Sequence, residues 1–222
     1  MSSEKRFVPY DTRMLNANDS LQSATSFENL MDRRRSVRTF SSKPVDRAVI
    51  ESIIRTASSA PSGAHKQPWT FCAVSSQKVK SKIREAAEKE EYENYHGRMS
   101  EDWLEDLSIF GTDWNKPFLE IAPWLIVIFK KAYDINPDGT KAKNYYVNES
   151  VGIAAGFLIS AIHNAGLVTL THTPSPMNFL QKVLDRPENE RAFLLLPVGY
   201  PTEDAKVPVL KRKDLADMSV FY

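Results

Sequence analysis

The chain has 222 residues, of which 42% are hydrophobic, 26% charged and 10% aromatic. These values exclude a disordered or collagen-like chain and leave a globular protein of one domain, or of two very small ones. Twenty-nine Lys and Arg nearly balance twenty-eight Asp and Glu, for a formal net charge of +1, which argues against a dedicated nucleic-acid binder with its basic excess. A single cysteine, Cys72, excludes an internal disulfide and any CxxC metal or redox motif.

The N-terminal MSSEKRFVPYDTRML has no apolar core, so no signal peptide is expected. The first thirty residues are polar and read as an arm leading into a short helix near 27–33. From Asp46, Val49, Ile50, Ile53, Ile54 and Ala57 follow helical spacing, with Pro44 and Asp46 as start signals and Pro61-Ser62-Gly63 as the stop. WTFCAV at 69–74 reads as a buried strand. Residues 77–95 predict a long charged helix interrupted by Gly97, and 101–109 a second helical piece. WLIVIFK at 124–130 suits a central strand, and Asn136-Pro137-Asp138-Gly139 is a turn.

A long apolar helix is expected over 145–165, with Gly152 and Gly156 allowing a close approach of another backbone. Its core, VGIAAGFLISAIHNAGLV at 151–168, is marginal as a membrane span and would bury His163 and Asn164 in lipid. It also lacks a close basic flank, so the centre of a domain or a subunit interface is the better reading. Residues 167–171 predict a third strand, 177–184 a short helix and 192–199 a fourth strand. The tail from Pro201 is patterned by Val207, Val209 and Leu210 and is expected to cross a partner subunit. The order implies an α+β fold, a sheet flanked by long helices.

Four groups of residues carry possible chemistry. Arg33-Arg34-Arg35-Ser36-Val37-Arg38 concentrates guanidinium groups that fork onto phosphate oxygens, although a solvated basic stretch has the same composition. Ala60-Pro61-Ser62-Gly63-Ala64-His65 supplies small residues that admit a flat ligand, or simply an ordinary helix-to-strand turn. Leu170-Thr171-His172-Thr173-Pro174 closes a strand, where α/β proteins place ligand contacts, or is a polar strand exit. Glu91 and Tyr95 share one face of the charged helix, and with Lys116 they also fit an ordinary solvated surface. Walker A, GxGxxG and GxSxG patterns are absent from the sequence, and His65, His96, His163 and His172 have no HExxH spacing, so no metal site is expected.

Taken in order, RRRSVR, RTASSAPSGAHKQPWTF, EEYENY, the W-x-K around Lys116, LIVIFK, NAGLVTLTHTP, LLLPVGYP and VPVLKRK cover most of the chain from 33 to 213. Together they resemble the nitroreductase-type flavoprotein superfamily, and more closely its iodotyrosine deiodinase branch. The resemblance implies a nitroreductase-like domain over 1–222, with a central mixed sheet of four to five strands. It further implies an arm at 1–30, an active-site lid at about 88–118 and a tail at 201–222 swapped onto the partner of a homodimer. It implies FMN as cofactor, active sites at the subunit interface, and reductive dehalogenation of iodo-, bromo- or chlorotyrosine to tyrosine and halide by one-electron steps.

The residues that the resemblance places around FMN are Arg34, Arg35, Ser36, Val37, Arg38, Pro61, Ser62, Gly63, Thr171, His172, Thr173 and Arg212. Arg34, Ser36 and Arg212 match contacts on the phosphate and ribityl side, Arg38 the cation at the flavin N1/O2 edge, and Thr173 the catalytic hydroxyl at N5. The Ala64 N–H matches a donor to the substrate phenolate, and Glu91, Tyr95 and Lys116 match lid residues that grip the amino-acid zwitterion. His172 departs from the pattern, which has threonine there. The membrane-anchored members carry an N-terminal segment not seen here, so a soluble cytoplasmic enzyme is expected, fed by NAD(P)H or a separate reductase. The alternative is a general NAD(P)H-dependent nitroreductase or quinone reductase, which would not need the Glu91, Tyr95 and Lys116 trio.

Overall fold

The two most apolar extended segments pair with each other at the centre of the protein. In the computed structural model, which describes residues 7–10 and 13–222, β2 (Trp124–Lys131) runs antiparallel to β6 (Glu190–Gly199). β1 (Trp69–Val74) flanks β2, and β5 (Val168–Thr169) flanks β6, giving the order β1-β2-β6-β5. Every pairing between these four strands is antiparallel. The mixed character expected from the sequence is confined to a single parallel bridge between Ser36 and Thr169.

Both faces of the sheet are covered, which is why Leu125, Ile126, Val127, Ile128 and Phe129 form an unbroken apolar run, all fully buried. Alternation along the strands divides them between two cores. Ile126, Ile128, Leu194, Leu196 and Val198 meet α2 (Arg47–Ser58) and α6 (Val147–Asn164). Leu125, Val127, Phe129 and Leu195 meet α3 (Gln77–Glu93), α5 (Phe118–Ile121) and α7 (Asn178–Val183) on the other side. α2 starts where the sequence placed it because the Asp46 carboxylate accepts from the Ala48 N–H at 2.7 Å. α6 buries Val151, Ala154, Leu158 and Ile162 but leaves Ile153 and Phe157 exposed beside Gly152 and Gly156. A side chain at either glycine would meet nothing within 4 Å, so the close approach expected there is not made within this chain.

α3 runs into a wide turn at Asn94–Arg98, which contains Gly97, and α4 (Glu101–Ser108) follows, capped by Ser100 accepting from the Trp103 N–H at 3.3 Å. Two elements were not foreseen: α5, of four residues, and a hairpin of β3 (Tyr133–Ile135) and β4 (Lys141–Lys143) around the predicted turn. Each is shorter than the window that periodicity needs. α1 (Ala17–Asp32) begins ten residues before the helix expected at 27, N-capped by Asn16. None of its residues is buried, so it offers no apolar stripe to read.

The described residues fall into two compact units, one up to Arg34 and the other from Arg35 to Tyr222. The tail beyond Pro201 is extended apart from turns at 203–204 and at Leu215–Asp217, and Val209, Leu215, Met218, Val220, Phe221 and Tyr222 are exposed along it. The Arg35 guanidinium donates to the Pro208 carbonyl. Among the described residues no helix is long and apolar enough to cross a membrane.

One buried cation fixes the geometry between α3 and β2. The Lys80 ammonium is buried and donates to the Glu120 and Ala122 carbonyls at 2.9 and 2.8 Å, closing the C-terminal end of α5. Replacing Lys80 by Met should lower the unfolding free energy by about 2 kcal/mol, read as a drop in the urea midpoint. The same substitution at exposed Lys78 should leave the midpoint unchanged.

Candidate functional site

The line of β5 continues past Thr169 in the same register, because His172 exchanges both backbone hydrogen bonds with Leu195, at 2.9 and 3.1 Å. Extended chain alternates, so Thr171 and Thr173 face outward while His172 turns inward and is buried. On the other edge of β5, the Ser36–Thr169 bridge and the hydrogen bond from the Val37 N–H to the Thr169 carbonyl, at 3.2 Å, anchor the arginine segment. Val37 is buried, and the chain on either side holds Arg35, Ser36 and Arg38 partly exposed. Arg38, Thr171, His172 and Thr173 thereby line one cavity of about 230 Å³, together with Glu91, Tyr95 and Lys116. A neighbouring cavity of about 320 Å³ shares Glu91, Met99, Trp103 and Thr173 with it.

Residue types alone allowed Glu91 and Lys116 to be ordinary surface charges; the structure buries them, at 7% and 4% exposure. Burial happens because residues 112–116 fold back onto α3. The Lys116 ammonium lies 3.9 Å from the Glu91 carboxylate, donates to the Thr112 hydroxyl at 3.1 Å and to the Asp113 carbonyl, and sits 5.4 Å from the centre of the Tyr95 ring. Tyr95 donates its hydroxyl to the Thr112 carbonyl at 3.4 Å. Desolvation pushes the Glu91 carboxyl above its ordinary range, partly offset by Lys116, and pushes the Lys116 ammonium down, partly offset by Glu91. Burial raises the Tyr95 hydroxyl and lowers the Arg38 guanidinium, which stacks over Phe110 at 5.6 Å.

His172 completes this group. Its Nδ1 is 3.8 Å from the Glu91 carboxylate, its ring meets Phe118 edge-on at 5.7 Å, and its Nε2 is buried without a hydrogen-bond partner. Burial, with the Lys116 and Arg38 cations adding to it, lowers its pKa to about 3, so the ring is neutral at physiological pH. A buried carboxylate and a buried ammonium that face a cavity can exchange each other for the ammonium and carboxylate of a free amino acid.

The loop before β1 forms a second group. The Ser62 hydroxyl accepts from the Gln67 N–H at 2.9 Å, and the Gly63 N–H donates to the Ser150 hydroxyl on α6 at 3.3 Å. A Cβ at Gly63 would lie 2.9 Å from the Tyr145 carbonyl, so only glycine fits. Ala64, His65, Gln67 and Tyr146 all adopt positive φ, between 47° and 56°. Such left-handed geometry is costly away from glycine, and concentrating it in one place is characteristic of functional loops.

The structure therefore brings Arg38, Thr171, His172 and Thr173 together with Glu91, Tyr95 and Lys116. Pro61, Ser62, Gly63, Ala64 and Arg212 line neither of the two cavities. Arg212 is exposed on the tail, and the Arg34 N–H bonds the Met31 carbonyl at 3.1 Å. Sequence reasoning missed Met99, Trp103, Leu107, Thr112 and Phe118 in the walls. Trp103, Leu104 and Leu107 follow helical spacing on α4, a signal that was present but spans a single turn.

The nitroreductase family profile matches residues 31–200. The chain is 63% identical to an iodotyrosine deiodinase of Haliscomenobacter hydrossis over the whole of both chains. It is 50% identical to iodotyrosine deiodinase of Danio rerio and 44% identical to iodotyrosine deiodinase 1 of Homo sapiens, each over 96% of this chain and covering 73% and 74% of those proteins. Among solved structures, an oxidised iodotyrosine deiodinase bound to FMN and 3-iodo-L-tyrosine superposes with a TM-score of 0.75 at 29% identity, over 88% of this chain and 100% of the other. A nitroreductase of Bacteroides thetaiotaomicron, at 21% identity and a TM-score of 0.62, covering 89% of this chain and 96% of its own, shares the fold. With its family pattern, its full-length relatives and its fold in agreement, this chain belongs to the nitroreductase family and, within it, to the iodotyrosine deiodinases.

Proposed function

We propose that this protein binds FMN and uses it to remove halogen reductively from halotyrosines, releasing tyrosine and halide. The observation that carries the reading is the buried Glu91–Lys116 pair on the wall of the cavity that also holds Arg38 and Thr173. A general nitroreductase has no use for two buried opposite charges beside its flavin. An amino acid does, because it presents one charge of each sign.

The donor set suits FMN. Arg35, Arg38 and Arg212 offer guanidinium groups to its phosphate and to the electron-rich edge of its ring, and Ser36, Thr171 and Thr173 offer hydroxyls. Gly63 lets its loop pack directly against Tyr145 and Tyr146 at the start of α6, where a Cβ would clash. FMN, when bound, supplies the two electrons that, with one proton, convert the carbon–halogen bond into a carbon–hydrogen bond and a halide ion. NAD(P)H, directly or through a separate reductase, would restore those electrons.

The protein's own groups have the following parts. Arg38 remains a cation and would hold the flavin edge where negative charge collects on reduction. Thr173 would place its hydroxyl at the flavin N5. The Ala64 N–H would donate to the substrate phenolate, which halogenation makes accessible near neutral pH. Glu91 would take the ammonium and Lys116 the carboxylate, with Tyr95 holding the lysine side of the pocket. His172, being neutral, does not compete with that ammonium for Glu91. Lid residues 88–118 would close over the reacting centre and exclude water.

A homodimer accounts for the separation of the two predicted groups. The loop of Gly63 and Ala64 is held against the start of α6, whose exposed Ile153 and Phe157 form an apolar face. A second copy on that face would bring one chain's loop and tail to the other chain's Arg38 and Thr173.

Four outcomes follow. The purified protein should hold one FMN per chain, and Glu91→Gln should raise the KM for 3-iodo-L-tyrosine about 10- to 100-fold, the worth of a hydrogen bond to a charged group. Reduction of a nitroaromatic should change little in that variant; equal loss of both activities would assign Glu91 to the fold instead. Phe157→Glu should convert the dimer to a monomer in sedimentation and release FMN, and a dimer that persists would place the interface elsewhere. Finally, between the folded pKa of about 3 for His172 and the ordinary 6.5, the unfolded chain binds the extra proton. Its contribution to stability is therefore complete above pH 6.5 and is lost as the pH falls toward 3. Urea midpoints at pH 7.5 and 4.5 should differ less in His172→Thr than in the wild type.

A further inference from the structure

One face of α3 grips the lysine loop side chain by side chain. Arg84 donates to the Asn115 side-chain oxygen at 3.0 Å, and the Glu88 carboxylate accepts from the Lys116 backbone N–H at 2.7 Å. Glu91 faces the Lys116 ammonium, Tyr92 meets Trp114 edge-on at 5.5 Å, and Tyr95 reaches the Thr112 carbonyl. Positions 84, 88, 91 and 92 lie along one stripe of α3, with Tyr95 following in the wide turn beyond it, so successive turns hold the next residue or two of the loop.

Within this stripe Glu88 is the best-held group. Arg84 donates to the same Glu88 oxygen at 2.7 Å and to Glu120 on α5 at 2.9 Å, which ties the clamp to the element that leads into the central strand β2. Both side chains are mostly buried, and the hydrogen bond to Glu88 raises the Arg84 pKa. Two charge-assisted bonds converge on the carboxylate, one from a side chain and one from the backbone that carries Lys116.

We propose that Glu88, fixed by Arg84, is a positioning residue for Lys116: it holds the lysine backbone so that the ammonium meets the carboxylate of the amino-acid substrate. The inference rests on the functional reading above, since it concerns the same lysine. Neither Arg84 nor Glu88 lines the cavities, so their effect passes through the Lys116 peptide and not through contact with substrate or flavin.

The test compares Glu88→Ala with Glu88→Gln, whose amide oxygen can still accept from the Lys116 N–H. Three quantities are read in the FMN-loaded dimer: amide exchange over 112–118, the KM and kcat for 3-iodo-L-tyrosine, and FMN affinity. Glu88→Ala should accelerate exchange and raise KM by about tenfold each, with FMN affinity and kcat within about twofold of the wild type. Glu88→Gln should restore most of the exchange protection and most of the KM. A Glu88→Ala enzyme with wild-type KM and exchange overturns this inference alone, as does a Glu88→Gln enzyme as impaired as Glu88→Ala. A wild type that does not turn over 3-iodo-L-tyrosine overturns the functional reading and this inference with it.

Discussion

The buried pairing of Glu91 with Lys116 is the constraint around which α3 and residues 112–116 are organised. Taking two full charges out of water is costly, and at 3.9 Å the pair recovers only part of that cost. The surroundings make up the difference: Thr112 and Asp113 accept from the ammonium, and Tyr95 covers it with its ring. His172, beside the carboxylate, gives up its own proton instead of adding a second positive charge. A hydrophobic pair in these positions would stabilise this packing at least as well. Retaining the charges makes physical sense when a ligand of matching polarity replaces each partner in turn.

The sheet supplies what such a ligand would react against. Because β5 keeps its register with β6 as far as His172, alternation along one extended segment gives two threonine hydroxyls to the outer face and the histidine to the inner one. One strand thus serves both halves of the proposed site: Thr173 would meet the flavin while His172 backs the carboxylate that would hold the substrate. The parallel bridge of Ser36 to Thr169 sets Arg38 within reach of the same cavity. Cofactor chemistry and amino-acid recognition would therefore be coupled through a few residues at the edge of the sheet.

Much of this was legible in the chain itself, for reasons that differ by element. The run at 124–130 could be read as a strand because burial on both faces leaves no polar residue in its middle, and α2 because Asp46 and Pro61 mark its ends. α1 was read too short because a helix with no buried residue writes no periodic pattern, and the hairpin of β3 and β4 was missed because three residues cannot establish alternation. Glu91 and Lys116 are the instructive case. Their burial comes from the packing of 112–116 on α3, a tertiary contact invisible to local spacing, and only their resemblance to a known lid singled them out. Glu88 was passed over altogether, since a glutamate four residues after an arginine on a charged helix looks like a surface pair.

The central claim is that the buried charge pair selects an amino-acid zwitterion beside a reduced flavin. It is tested most directly by mixing the anaerobically reduced protein with 3-iodo-L-tyrosine and, separately, with its N-acetyl derivative, and measuring iodide release. The two share the halogenated ring but differ in the charge that Glu91 would hold. Rapid release from the free amino acid with little from the acetylated one is the predicted result. Equal release from both, or none from either, would contradict the account.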